Sequence, residues 1–160
     1  MTWTPSAAGQ KRIDEIIARY PSKMAACLPA LRLAQEEIGH VSKEAIDWVS
    51  RRLELPRAHV QGVVSFYTLY HQKPVGKHVV QVCRTLSCAL VGGERILDHC
   101  QKKLGIRPGE TTPDGKITLE TAECLASCGS GPVLTVDDEF VENLTIESID
   151  ALLDRLRSEP

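Results

Sequence analysis

The sequence predicts a small α/β layer domain preceded by a small N-terminal helical bundle. Three observations carry that expectation. Apolar residues recur at helical spacing through the first half. β-Branched runs and strict alternation begin only after the break Lys73-Pro74-Val75-Gly76. Four of the six cysteines then fall as two spaced pairs beside the predicted strands. The break assigns residues 1–74 to the bundle and residues 75–160 to the α/β domain. A chain of 160 residues with 42% apolar content is long enough to bury a real core in such an arrangement.

The first helix is expected over Gln10 to Tyr20, where Ile13, Ile16 and Ile17 share a face and Pro21 interrupts. Ser22 offers an N-cap for a second helix with Leu28, Leu31 and Ile38 on one side, Pro29 placed to kink it and Gly39 to terminate it. Ser42 caps a third helix, with Glu44 in its first turn and Ala45, Ile46, Val49 and Leu53 directed inward. After Pro56 a short helix from Arg57 to about Ser65 leads into Phe66-Tyr67-Thr68-Leu69-Tyr70, whose aromatic rings are expected to fill the core.

Beyond the break, His78 to Val82 reads as a strand and Val91 to Leu104 as a helix ended by Gly105. Ile117 and Leu119 alternate with Thr118 and Glu120, and Val133 to Val136 turns at Asp137-Asp138 into Glu139 to Val141 as a hairpin. Ile146, Ile149, Leu152, Leu153 and Leu156 line one face of a last helix, with Thr145 as N-cap and Glu147 in the first turn. This order suits helices covering a four-stranded or similar sheet, as in thioredoxin-like folds. No internal repeat is present.

Nineteen basic and 21 acidic residues leave a net charge of −2, without the basic stripe that nucleic-acid binding needs. Met1 to Arg12 has no apolar core of a secretory signal, and no uncharged apolar run approaches the roughly 20 residues of a membrane span. The expectation is a soluble, cytoplasmic protein that meets a membrane only through partners. In that reducing compartment cysteines serve more often as metal ligands or nucleophiles than as disulfides.

Cys83 and Cys88 form a C-x4-C pair on the loop after the first predicted strand, and Cys124 and Cys128 form a C-x3-C pair before the strand that follows Gly131-Pro132. Four soft thiolates on two loops suit an iron-sulfur cluster or zinc, and zinc pairs commonly span such spacings. Thiol or disulfide chemistry is a third reading, although the C-x2-C of thioredoxin-type exchange is absent. A thiolate-held [2Fe-2S] core is anionic in both redox states and needs backbone N–H groups aimed at its sulfurs; Gly129 and Gly131 can let the backbone come close.

Three further stretches join the cysteine spacing: Gly62-Val63-Val64-Ser65-Phe66-Tyr67-Thr68, Glu123-Cys124-Leu125-Ala126-Ser127-Cys128 and Glu142-Asn143-Leu144-Thr145. Together they resemble the thioredoxin-like [2Fe-2S] subunit of NADH-quinone oxidoreductase, the E-type subunit of respiratory complex I, over nearly the whole chain. The resemblance implies a thioredoxin-like [2Fe-2S] domain behind the helical bundle and one [2Fe-2S] cluster held by Cys83, Cys88, Cys124 and Cys128. Relatives often carry a threonine-rich first loop and a larger residue after the last ligand, so Arg84 and Gly131 are modest departures.

No strand is followed by G-x-G-x-x-G, so the chain is not expected to bind a dinucleotide by that mechanism. The resemblance places NADH and FMN on a partner, the F-type flavoprotein of the same complex, with which this chain exchanges single electrons. It also places the complex on the cytoplasmic side of the inner membrane. Similar subunits accompany NAD-linked formate dehydrogenases and bidirectional hydrogenases, and a zinc-stabilised interaction module is the reading from another class. Cys27 and Cys100 fit buried small side chains in helices, and His59, His71 and His78 lie outside both cysteine loops, against a Rieske-type centre. Lys102-Lys103 and Asp137-Asp138-Glu139 read as solvated charges, and the helical half as a docking module for the partner.

Overall fold

Ser6 accepts a hydrogen bond from the Gly9 amide at 3.0 Å and starts helix α1 (Ala7–Arg19) earlier than the apolar spacing predicts. The computed structural model describes residues 3–159. Met1 and Thr2, from the stretch read for a signal, and Pro160, at the end of the expected second domain, lie outside the described residues. Two compact units emerge, Met1–Pro74 and Val75–Pro160. No helix among the described residues is long and apolar enough to cross a membrane.

The first unit continues with α2 (Cys27–Ile38), α3 (Lys43–Leu53) and α4 (Arg57–Phe66). Ser22 caps a turn ahead of α2, accepting from Ala25 N at 3.2 Å, so the helix itself starts later than expected. Pro29 falls in the first turn of α2, where a backbone amide has no intrahelical acceptor, and the helix continues through it. Gly39 ends α2 in the left-handed conformation, and Ser42 caps α3 by accepting from Ala45 N at 3.2 Å, both as the sequence predicts.

Ile13, Leu31, Leu33, Val49, Leu53 and Val60 form the core of this unit. The aromatic run divides. Tyr70 is buried, its hydroxyl donating to Leu28 O at 2.8 Å, and burial pushes its phenol up to about 12. Phe66 is 78% exposed, contrary to its expected place in the core. Val60 and Val64 point inward from α4, and two residues past Val64 is about 200° round the helix, on the outer face.

The second unit holds a five-stranded sheet, in keeping with the expected four-stranded or similar one. Its strands are β1 (His78–Cys83), β2 (Glu110–Thr111), β3 (Ile117–Ala122), β4 (Leu134–Val136) and β5 (Glu139–Val141), in the order β2-β3-β1-β4-β5. β1 runs parallel to β3 and antiparallel to β4, and β4 and β5 form the predicted hairpin. Asp137 takes a positive φ of 58° in that turn, and its carboxylate accepts from Val79 N at 2.9 Å. It is therefore a structural residue instead of a merely solvated charge.

Three helices complete the unit: α5 (Leu86–Leu90), α6 (Gly93–Leu104) and α7 (Ile146–Ser158). Val80, Val82, Leu119 and Leu134 of the sheet share one core with Ile96 of α6 and Ile149 and Leu153 of α7. Lys103 ties α6 to α7, its Nζ 2.9 Å from both Asp150 and Asp154, so this lysine is also more than a solvated charge. His99 Nε2 stands 2.8 Å from Asp150 in the same network.

The register of the parallel pair matters most for function. Cys83 at the end of β1 pairs with Ala122 at the end of β3. Both cysteine loops therefore leave the sheet at the same end, the C-terminal end of its parallel strands, where α/β sheets commonly bind ligands.

Candidate metal centre

Cys83 closes β1, its amide donating to Val133 O at 3.1 Å, while Arg84 N donates to Ala122 O at 3.0 Å. Thr85 then starts α5 without a side-chain cap, because its hydroxyl donates instead to the Glu123 carbonyl in the other cysteine loop. Cys88 stands on α5, a helix where the sequence suggested loop. Leu86 and Leu90 are exposed, so this short helix shows no inward apolar stripe to reveal it. Cys124 follows β3, and Cys128 opens a 3₁₀ turn, Cys128–Ser130.

Cys83 and Cys88 are buried together with Val133, with Leu125 packed against them, whereas Cys124 and Cys128 are exposed. Burial pushes the Cys83 thiol up, but backbone hydrogen bonds from Thr85 and Leu125 and the Cys88 thiol outweigh it, and the net shift is downward. Cys88 is held above the ordinary thiol range by burial and then by Cys83, against the lowering effect of a backbone hydrogen bond from Val133. The Cys124 sulfur accepts from Ala126 N at 3.3 Å. Ala126 adopts φ 60°, a left-handed backbone that costs an alanine about 1 kcal/mol and turns its amide toward that sulfur.

Gly131 has the role expected of it. A Cβ there would stand 3.4 Å from Cys88 Sγ and 3.1 Å from Val91 Cγ2. Gly129 does not, since open space surrounds its Cβ position. A close approach that the sequence did not reveal occurs at Gly93, where a Cβ would meet the Cys88 carbonyl oxygen at 2.9 Å and force the start of α6 away from the loop.

The fold thus brings Cys83 and Cys88 into thiol contact, puts Cys128 within electrostatic reach of Cys88, and holds Cys124 by its own loop. Among the described residues, no three His, Cys, Asp or Glu side chains converge on a single-ion site. All six cysteines are free thiols. Soft donors arranged as two pairs, with backbone donors on three of the four sulfurs, fit an anionic thiolate-held [2Fe-2S] group. Cys27 and Cys100 are buried in the cores of the two units, and burial pushes Cys100 up to about 11, which suits an inert thiol. His78 sits at the opposite end of β1 from Cys83, its Nδ1 3.0 Å from Asp137. The Thr85 link to Glu123 escaped the sequence reading because its partners lie far apart along the chain.

The family described as thioredoxin-like [2Fe-2S] ferredoxin matches residues 13–157. The second E-type NADH-quinone oxidoreductase subunit of Rhizobium meliloti is 42% identical over 149 residues, which are 93% of this chain and 89% of the relative. NADH-quinone oxidoreductase subunit 2 of Thermus thermophilus is 43% identical over 152 residues, 93% of this chain and 84% of the relative. Among solved structures, an NAD+-reducing [NiFe]-hydrogenase in the air-oxidised state shares the fold over 82% of this chain and 23% of its own, with a TM-score of 0.73 at 20% identity.

Proposed function

Because the chain belongs to the thioredoxin-like [2Fe-2S] ferredoxin family, we propose that it is the [2Fe-2S] electron-transfer subunit of an NADH-quinone oxidoreductase. Cys83 and Cys88 would hold one side of the cluster and Cys124 and Cys128 the other. The observation that carries this reading is the convergence of both loops at one sheet end with backbone donors directed at their sulfurs. Zinc as a purely structural ion would make no use of those donors to set a potential.

When bound, the cluster supplies a one-electron acceptor and donor. The chain's own residues hold the thiolates, stabilise their negative charge through backbone amides, and shield Cys83 and Cys88 behind Val133 and Leu125. NADH and FMN belong, in this reading, to an F-type flavoprotein partner. Leu86, Leu90 and Val91 lie exposed around the helix that carries Cys88 and offer that partner an apolar surface beside the cluster. The helical unit serves assembly with the same partner, with exposed Phe66 as a contact. The complex would hold the chain on the cytoplasmic side of the inner membrane.

The corresponding place in an NAD+-reducing hydrogenase is the second reading. Identities of 42% and 43% to NADH-quinone oxidoreductase subunits, against 20% to the hydrogenase, favour the first. The test is to add NADH to the cluster-loaded chain with and without its co-expressed flavin-bearing partner. A reduced [2Fe-2S] EPR signal only in the presence of that partner supports the proposal, because the partner's flavin bleaches by itself. No such signal in the assembled pair contradicts it.

A further inference from the structure

Ser127 and Ser130 stand either side of Cys128 in sequence, and both hydroxyls donate to the same carboxylate oxygen, Glu142 Oε1, Ser130 at 2.6 Å. The two hydroxyl oxygens are themselves 2.7 Å apart. Glu142 directly follows β5, and the next two amides return to the cysteine loop: Asn143 N donates to Ser130 O at 2.8 Å and Leu144 N to Pro132 O at 3.1 Å. Leu144 is buried in the sheet core, which anchors this strap. The turn closes on one backbone bond of its own, Ser130 N to Ser127 O at 3.2 Å, and Cys128 is exposed.

We propose that Glu142 is a positioning residue of the metal centre: its carboxylate, through Ser127 and Ser130, fixes the turn that presents Cys128. The inference rests on the reading of Cys128 as a cluster ligand. A carboxylate has acceptor sites for both hydroxyl protons at once, and the strap fixes the backbone directly after it. The bonds from Ser127 and then Ser130 hold its carboxyl below the usual range, so it is ionised at neutral pH. That charge adds a second effect. A fixed anion near the centre disfavours the reduced, more negative state and so lowers the potential.

The two effects separate by substitution in the full chain. Glu142→Ala removes acceptor and charge; Glu142→Gln keeps a carbonyl acceptor and removes the charge. The cluster of Glu142→Ala should be lost to a chelator on the order of tenfold faster than wild type, with an altered EPR line shape. Glu142→Gln should restore retention toward wild type while its midpoint potential stays raised. Ser130→Ala, which leaves the carboxylate in place, should reproduce the faster loss, and its combination with Glu142→Ala should add little. Unchanged chelator loss and EPR in Glu142→Ala, with a loaded wild type, overturns this inference alone. A wild-type chain that takes up no iron overturns it together with the proposed function.

Discussion

The Thr85 hydroxyl donates to the Glu123 carbonyl oxygen and so joins the residue before α5 to the residue before Cys124. This is a tie between the two cysteine loops that neither strand pairing nor either loop's own turns supply. Thr85→Val keeps the shape and β-branching but deletes the donor. It should cost about 1 kcal/mol of stability and speed cluster loss, both measurable by thermal denaturation and chelator challenge. Thr85→Ser should restore the loss rate.

Gly131 meets Cys88 and Val91 closely but has φ −67° and ψ 158°, a backbone open to any residue. Gly131→Ala should therefore gain roughly 0.4–1 kcal/mol from the stiffer unfolded chain and lose a comparable amount to crowding against Val91 Cγ2. Removing that methyl tips the balance. In a Val91→Ala background the same substitution should raise the thermal midpoint, whereas in the wild type it should change it little.

Much of the fold was legible because local chemistry and final packing agree. Ser42 and Glu44 mark α3 as capping rules require, and Ile117 and Leu119 of β3 are buried as expected, although Thr118 between them is buried too, because the strand is covered on both faces. Where local and global signals part, the sequence misled. β2 has only two residues at a sheet edge, too short for any period, and α5 turns Leu86 and Leu90 outward. Phe66 looked like core because of its chemistry, not its position on the helix. The cysteine pairs were visible from spacing, but the links that hold their loops were not. Ser127 and Ser130 reach Glu142 across an intervening hairpin strand pair, and such contacts leave no periodic trace.

The two units have separate cores, which leads to a separable outcome. Leu31 in the first and Leu153 in the second are both fully buried, and alanine at either should cost on the order of 2–5 kcal/mol. Leu31→Ala should lower the thermal midpoint but leave the visible spectrum of the loaded protein unchanged. Leu153→Ala, in the core beneath the cysteine loops' own sheet, should weaken the spectrum as well.

The α6–α7 network sets a pH dependence. His99 and Lys103 hold the Asp150 carboxyl below its usual range, so its contribution is present above the unfolded value, about 3.9, and fades as pH falls through the lower folded value. Asp154 and Asp150 hold Lys103 above its usual range, so its share is present below about 10.4 and fades as pH rises through the higher folded value. Asp150→Asn should lower the thermal midpoint at neutral pH and flatten its decline on both the acid and the alkaline limb, as followed by circular dichroism.

Cys83, Cys88, Cys124 and Cys128 are proposed to hold one [2Fe-2S] cluster together, and iron and acid-labile sulfide analysis of the purified chain and its single serine variants decides it. Two irons and two sulfides per chain are expected in the wild type and in Cys27→Ser, with strong loss in Cys124→Ser. Stoichiometric zinc without sulfide, or full iron and sulfide retained in Cys124→Ser while Cys27→Ser loses them, would contradict it.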